Sequence, residues 1–436
     1  MPKKDPKLVK LGNELREYFV IEDLEEVDLG LIKLCVDKLD KFTDERQLSK
    51  VEYKLSSVVM LVILCVFADI NEWHKMELFA KTNVKTFKNL LYLPKGIPSH
   101  DTLQRVFALL DPKELTDLLV PLFIEIVNNG LKKLNINNDA IYKDEDTIIN
   151  DIYGFDGKEI RKTGNKYKTG EDSRNFNALN VYSTEYQLAL KTERIDSKTN
   201  EIPVMSRVLK YLDLKGVIAT FDALNTQKSV VASIIDARGD YVGVLKKNHG
   251  VFYNELEEYF DDSDLLKKIK DKENQYLIEI EKTKRTIITR EYFITDDISW
   301  FYDLSDWKSL KTIGYELKTI TNRDTGEIVE TKRYFLNSLK ANVNLFALAV
   351  RRHWNIENNL HWHLDFTFKE DYVTTKNKKA LHNLTIVRRF VLAVLNLVKD
   401  VYGKLSLSSI RSKISWNFEA EMNAIFTILI KLKKID

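Results

Sequence analysis

Over the first third of the chain, apolar residues recur at helical spacing. Leu31 to Phe42, Leu55 to Phe67, Met76 to Ala80 and Thr102 to Leu110 each place apolar side chains three or four apart, which predicts helices between about residues 7 and 130. The turn Gly96-Ile97-Pro98-Ser99 precedes the last of these, with Asp101 as its predicted N-cap. Helix pairs joined by short turns can read DNA or simply pack, and the pattern leaves both open.

Near residue 147 the pattern becomes strand-like. Thr147–Phe155, Asn177–Ser183 and Leu188–Ile195 read as strands, the last two antiparallel around Thr184-Glu185-Tyr186. Asn200–Leu214 reads as an amphipathic helix, Val217–Phe221 as a strand, Thr226–Ala237 as a helix and Tyr241–Leu245 as a strand. This β-β-β-α-β-α-β order is that of an RNase H-like mixed sheet, whose sites collect beyond the strand C-termini. Residues from about 251 to 337 then read as a β-rich insertion, with Gln275–Thr295 and Leu310–Leu336 rich in strand and a hairpin turn at Arg323-Asp324-Thr325-Gly326. Val343–Asp365 and His382–Lys399 return to helical spacing. The predicted class is α/β. An all-α N-terminal domain spans 1–140, the mixed-sheet catalytic core 141–400, and C-terminal helices 401–436.

Composition narrows this picture little. The chain is 44% hydrophobic and 30% charged, with a net charge of +2, so any nucleic-acid-binding surface must be local. Its two cysteines, Cys35 and Cys65, lie in apolar surroundings and argue against disulfides and thiolate metal sites. Met1-Pro2-Lys3-Lys4-Asp5 has no signal-peptide character, and the longest apolar run, Val58 to Ala68, is too short to span a bilayer. A cytoplasmic protein with no membrane partner is the expectation.

The candidate chemistry lies in three carboxylates. Asp156 in Phe155-Asp156-Gly157-Lys158 and Asp222 in Thr220-Phe221-Asp222-Ala223 each follow a predicted strand, and Glu357 lies in the predicted helix of His353-Trp354-Asn355-Ile356-Glu357-Asn358. Alone, a strand-terminal Asp before Gly is commonly just a turn. Two hairpin strands and one helix separate the aspartates, which predicts neighbouring strands and converging carboxylates. Such convergence repels unless a cation resolves it. Hard cations such as Mg²⁺ or Mn²⁺ take oxygen ligands, and two of them clamp the attacking and leaving oxygens of a phosphodiester. At intervals of four, His353, Glu357, His361 and Asp365 would share one helix face, with Trp354, Leu360, Trp362 and Leu364 as its apolar complement. A solubilising polar stripe is the plain alternative. His361, Asp365 and Asn358 are the expected supporting residues.

Basic runs flank these carboxylates. Lys158, Arg161, Lys162, Lys166, Lys168 and Arg174 follow the first; Lys246-Lys247-Asn248-His249 follows the fifth core strand; Arg351 and Arg352 precede Glu357; and Lys376, Lys378, Lys379, Arg388 and Arg389 occupy an acid-free stretch. Such runs are often solvated surface. Several around the same carboxylates predict a phosphate-binding face, with Lys158, Arg161, Lys246, Lys247, Asn248, Arg351 and Arg352 as expected DNA contacts.

Together these segments resemble bacterial insertion-sequence transposases of the DDE type, in the branch of H-repeat-associated proteins. The similar residues are Phe-Asp-Gly-Lys-x-x-Arg at 155–161, Asn-Glu-Ile-Pro at 200–203, Asp-Leu-Lys-Gly-Val-Ile-Ala-Thr-Phe-Asp-Ala at 213–223 with Gln227, and Leu-Lys-Lys-Asn-His at 245–249. The most specific is Val-Arg-Arg-His-Trp-Asn-Ile-Glu-Asn-Asn-Leu-His-Trp-His-Leu-Asp at 350–365. Tyr53-Lys54-Leu55 and Gly96 to Thr102 resemble that branch's associated N-terminal domain. Where the wider superfamily carries Tyr, Arg and Lys around its glutamate, this chain has Val350, His353 and Leu364, with Arg351 beside the arginine position.

The resemblance implies a DNA transposase. Asp156, Asp222 and Glu357 would hold two Mg²⁺ or Mn²⁺ ions for end cleavage and strand transfer. The partners would be double-stranded element ends and target DNA, bound by a homodimer. The alternative is an RNase H-fold DNA nuclease or a catalytically inactive DNA-binding derivative.

Overall fold

The run Val217-Ile218-Ala219-Thr220-Phe221 is buried at every position, as a strand covered on both faces requires. The computed structural model describes residues 5–19, 30–47, 49, 51–164, 167, 169, 173–196, 201–301 and 304–434. Met1–Lys4, Lys166, Lys168 and Asn200, to which the sequence reading assigned parts, lie outside them. Among the described residues the strands are β1 (Tyr142–Lys143), β2 (Ile148–Ile149), β3 (Asp151–Ile160), β4 (Phe176–Ser183), β5 (Leu188–Ile195), β6 (Val217–Phe221), β7 (Asp240–Leu245), β8 (Tyr276–Lys282), β9 (Thr286–Thr295), β10 (Thr312–Asn322) and β11 (Ile328–Asn337).

The chain divides into two compact units, each assembled from separate stretches. One holds residues 140–157 and 199–356; the other holds 5–139, 158–198 and 357–436. Two of the crossings fall between Gly157 and Lys158 and between Ile356 and Glu357.

In the first unit, β3, β6 and β7 run parallel and in register, with Asp151–Phe155 opposite Val217–Phe221 and Ile218–Phe221 opposite Asp240–Gly243. The β6–β7 crossover is the helix Lys228–Asp236. β11 joins β7 antiparallel, and β10, β9 and β8 continue as an antiparallel meander. The strands expected within 251–337 are therefore present, but they extend this sheet, and the segment begins with two helices, Val251–Asp261 and Ser263–Asp271. Helix Val343–Asn355 packs on the sheet. Val343, Phe346, Ala347, Ala349 and Val350 meet Ile152, Ile218, Val242, Ile294 and Phe335 in one buried cluster. Glycines permit this close approach. A Cβ on Gly314 would come within 2.4 Å of the Phe346 ring, and one on Gly154 within 3.3 Å of Ile356 Cβ.

The second unit is mainly helical, with the antiparallel β4–β5 hairpin. Leu55–Phe67 is buried at all thirteen positions. The C-terminal helix Phe418–Lys433 belongs to this unit and meets helix Pro112–Lys133, where Asn129 Nδ2 donates to the Lys433 carbonyl at 2.9 Å. Residues 378–402 are long and apolar enough to cross a membrane by length and composition, but 83% of the apolar window lies buried inside the protein, as in a core helix.

Three local expectations need correction. β3 continues to Ile160, so Asp156 lies within the strand and not at its end. Helix His100–Leu109 is capped by Ser99, whose extended backbone lets its side chain accept from the Thr102 N–H; Asp101 already lies inside the helix. The predicted helix Val343–Asp365 is interrupted by a π-helical turn at Ile356–His361 before resuming at Trp362–Phe366.

Candidate active site

The parallel register places two of the three predicted carboxylates one residue beyond the last paired positions of neighbouring strands. Phe155 is paired with Phe221, so Asp156 and Asp222 occupy the next opposed positions. Neighbouring strands lie about 4.8 Å apart, which sets the spacing of these two backbones. Asp156 Oδ1 accepts from the Gly157 N–H at 2.9 Å. Asp222 Oδ1 accepts from the N–H groups of Leu224 at 3.1 Å and Asn225 at 3.2 Å, which fixes the loop after β6.

Strand alternation then defines a face. Gly154 and Asp156, two residues apart, project to the same side of β3. Ile356 packs against Gly154, and His353 Nδ1 lies 3.1 Å from Thr220 Oγ1, two residues before Asp222. The Thr220 hydroxyl is also 3.2 Å from the Tyr153 carbonyl as a donor, so it accepts from His353 Nδ1–H. The end of helix Val343–Asn355 thus lies over the side of the sheet to which Asp156 projects, and Glu357 is the next residue in the chain after Ile356.

The first unit adds a carboxylate that sequence reasoning missed. Glu201 begins helix Glu201–Leu209, and its Oε2 accepts from Asn225 Nδ2 at 2.9 Å, while the same amide reaches Asp222 Oδ1 at 3.2 Å. A Cβ on Gly157 would lie 2.0 Å from Glu201 Oε1, so a side chain there would displace the Glu201 carboxylate from this position. Burial raises the Glu201 pKa, the Asn225 hydrogen bond opposes the rise, and the Asp222 charge adds to it. The Asn-Glu-Ile-Pro segment carried the signal for this residue, without a role attached.

Behind these groups, Asn248 Nδ2 donates to the Ala223 carbonyl at 3.3 Å and His249 Nε2 lies 3.0 Å from the Thr226 carbonyl. Asn248 thereby buttresses the Asp222 loop. Lys246 and Lys247 remain exposed beside it.

The second unit treats the remaining candidates differently. Glu357 is exposed at the start of the π turn, with Oε2 3.6 Å from His361 Nδ1, and Asn358 is exposed. The π turn and uneven burial remove the uniform four-residue face: His361 is buried, whereas Glu357 and Asp365 are exposed. Burial lowers the His361 pKa, with Glu357 opposing. Trp354 and Trp362, expected as apolar filling, are exposed at 40% and 51%. The Asp365 carboxylate is ion-paired with Lys158, whose side chain is only 7% exposed, so Lys158 is not the expected phosphate contact. Arg161 is exposed and lies 3.6 Å from Asp371.

Other basic residues of these runs also find partners within the protein. In the first unit Arg352 is buried and Arg351 lies 3.3 Å from Glu279. In the second, Lys376 donates to the Lys162 and Gly164 carbonyls, Lys378 to those of Thr163 and Arg174, and Lys379 to that of Leu109. Arg388 and Arg389 are buried on Glu370 at 3.5 and 3.2 Å. In that acid-free stretch Lys378, Arg388 and Arg389 are buried scaffolding, whereas Lys376 and Lys379 are exposed. Its counter-ion, Glu370, carried no signal in the sequence.

Comparison with known proteins meets this geometry. Residues 150–395 match the family described as "Transposase DDE domain", and residues 36–121 match "DDE_Tnp_1-associated". The chain belongs to the DDE transposase family, in its H-repeat-associated branch. It is 29% identical over 399 residues to "Putative protein YbfL" of Escherichia coli (strain K12), spanning 90% of this chain and 98% of that protein. It is 28% identical over 399 residues to "H repeat-associated putative transposase YhhI" of the same strain, with 90% and 98% covered. A shorter relative there, "Inactive transposase YbfQ", is 33% identical over 77 residues, 18% of this chain and 92% of its own length. Within this DDE transposase, the matched domain contains Asp156, Asp222 and Glu357, and the associated match covers helices of the second unit.

Proposed function

We propose that this transposase cleaves double-stranded DNA at the ends of an insertion sequence and transfers the freed strand to a target. Asp156, Asp222 and Glu357 would hold two Mg²⁺ or Mn²⁺ ions on an RNase H-like core. The supporting observation is the in-register placement of Asp156 and Asp222, with Ile356, the residue before Glu357, packed over Gly154 on the Asp156 side. The donor set fits a hard cation. It is all oxygen, and the Asp222 charge helps to raise the Glu201 pKa, a like-charge conflict that a cation relieves.

When bound, such ions supply Lewis acidity at the phosphodiester and acidify water. The protein's part is to fix the carboxylates through the Gly157, Leu224 and Asn225 N–H groups and to hold the Asp222 loop through Asn248 and His249. Lys246, Lys247 and Arg161, all exposed, are the proposed contacts to backbone phosphates. The released 3′-hydroxyl is then the nucleophile toward target DNA, within a homodimer on the element ends.

The test incubates the full chain with a duplex carrying an element end, a target plasmid and Mg²⁺. Nicking to a 3′-hydroxyl followed by joined plasmid product is the expected result. Cleavage without joining assigns the chain as a nuclease. Binding without cleavage, in wild type and Asp222→Asn alike, assigns an inactive DNA-binding derivative.

A further inference from the structure

A chain of buried polar side chains in the second unit ends on Glu357. Arg389 Nη1 donates to Glu370 Oε1 at 3.2 Å, and its Nε donates to Asn180 Oδ1 at 2.8 Å. Thr192 Oγ1 also reaches Asn180 Oδ1, at 3.2 Å. Asn180 Nδ2 lies 3.3 Å from His361 Nε2, and His361 Nδ1 lies 3.6 Å from Glu357 Oε2. Glu370, Arg389, Asn180 and His361 are each at most 6% exposed, so water does not rearrange these partners freely.

The donor inventory settles the proton positions. A guanidinium only donates, so the Asn180 atom facing Arg389 is the carbonyl oxygen, and the amide nitrogen faces His361. An amide nitrogen only donates as well. His361 Nε2 must therefore accept, and the neutral ring carries its proton on Nδ1, directed at Glu357.

We propose that Glu370, Arg389 and Asn180 form a positioning relay that locks His361 as the Nδ1–H tautomer, which in turn orients the Glu357 carboxylate on the π turn. The proposal rests on the reading of Glu357 as a metal ligand. Glu357 is a half-exposed side chain on an irregular turn, and a donor at His361 Nδ1 narrows its rotamer freedom. Partners that hold a ligating group from behind are typically worth about 10–100-fold in metal affinity.

The first test needs no metal. Long-range ¹H–¹⁵N spectra of histidine-labelled full chain, with the His361 signals assigned by their loss in His361→Asn, should show a bare Nε2 and a protonated Nδ1. Asn180→Asp replaces the donor by a carboxylate acceptor and should move a proton onto Nε2. A wild-type His361 already protonated on Nε2 overturns the relay.

The second test measures Mn²⁺ affinity by electron paramagnetic resonance, with unfolding midpoints taken on the same samples. His361→Asn keeps an amide donor near the Nδ1 position and should stay within a few-fold of wild type. His361→Gln places its polar end near Nε2 and should weaken binding about 10–100-fold. Equal affinities for the two variants, with Glu357→Gln strongly impaired, overturn the relay. Unchanged affinity in Glu357→Gln overturns instead the metal role of Glu357, while the tautomer is still judged by the spectra.

Discussion

Two groups of acids, one in each unit, are held by different kinds of partner. In the first, Asp156, Asp222 and Glu201 gather like charges at one end of a parallel strand pair, held mainly by backbone N–H groups and one asparagine. In the second, Glu370 sits against Arg388 and Arg389, and Asp365 against Lys158. Compensated charges there join helices and loops. In the first unit the Asp222 charge adds to the rise of the Glu201 pKa, a like-charge conflict that a bound cation relieves. Proximity of charged residues to a motif in sequence therefore says little about their work; whether each has an opposite partner says more.

The largest effect separating these regions should come from Asp156→Asn or Asp222→Asn. Each removes a charge without changing shape, and end cleavage should fall by at least about 10³-fold, since metal stabilisation of a phosphoryl transition state is worth several kcal/mol. Urea midpoints should not drop. A folded variant that cleaves at wild-type rate removes that residue from the site. Glu370→Ala does the reverse. It strands two buried guanidinium groups and should cost about 3–5 kcal/mol in urea unfolding; a loss under 1 kcal/mol would mean that the arginines find other partners.

Gly157→Ala places a methyl where Glu201 Oε1 lies, and overpacking of this kind costs about 1–3 kcal/mol. Glu201→Ala, which removes the whole carboxylate, should recover part of that loss in the double variant, and strict additivity would show that the two do not touch. A smaller effect concerns pH in metal-free protein. Burial, aided by Asp222, raises the folded-state Glu201 pKa, so the native state holds its proton to higher pH than the unfolded chain. Stability is then lost as pH rises from the ordinary carboxylate value through the raised one. Glu201→Gln should flatten that segment of the stability–pH curve; an unchanged slope removes Glu201 as its source. The smallest effect is on DNA affinity. Lys246→Ala should lower the salt slope of binding by about one, and Lys378→Ala, whose ammonium faces the Thr163 and Arg174 carbonyls, should leave it unchanged.

Much of this architecture is legible in residue order. Val217–Phe221 is a continuous apolar run with a turn-forming Asp after it, so strand and candidate ligand appear together. Helix Val343–Asn355 is equally plain, because its apolar face keeps the helical period. The π turn is not legible, since Ile356 to His361 satisfies an α-helical pattern equally well and only packing selects the wider turn. Glu201 escaped because a single carboxylate opening a helix is unremarkable until Gly157 and Asn225 are seen beside it.

By itself, then, the sequence determined most strand and helix periods, the two strands that lead into Asp156 and Asp222, and membership of the DDE transposase family, because these depend on local pattern and on motifs contiguous in the chain. Tertiary structure alone decided which charges are neutralised. Lys158 meets Asp365, Arg389 meets Glu370 and Asn180, and Lys378 meets the carbonyls of a distant loop. These partners lie from nineteen to more than two hundred residues apart, and an ion's desolvation and Coulomb energy depend on distance in space, which no linear spacing encodes.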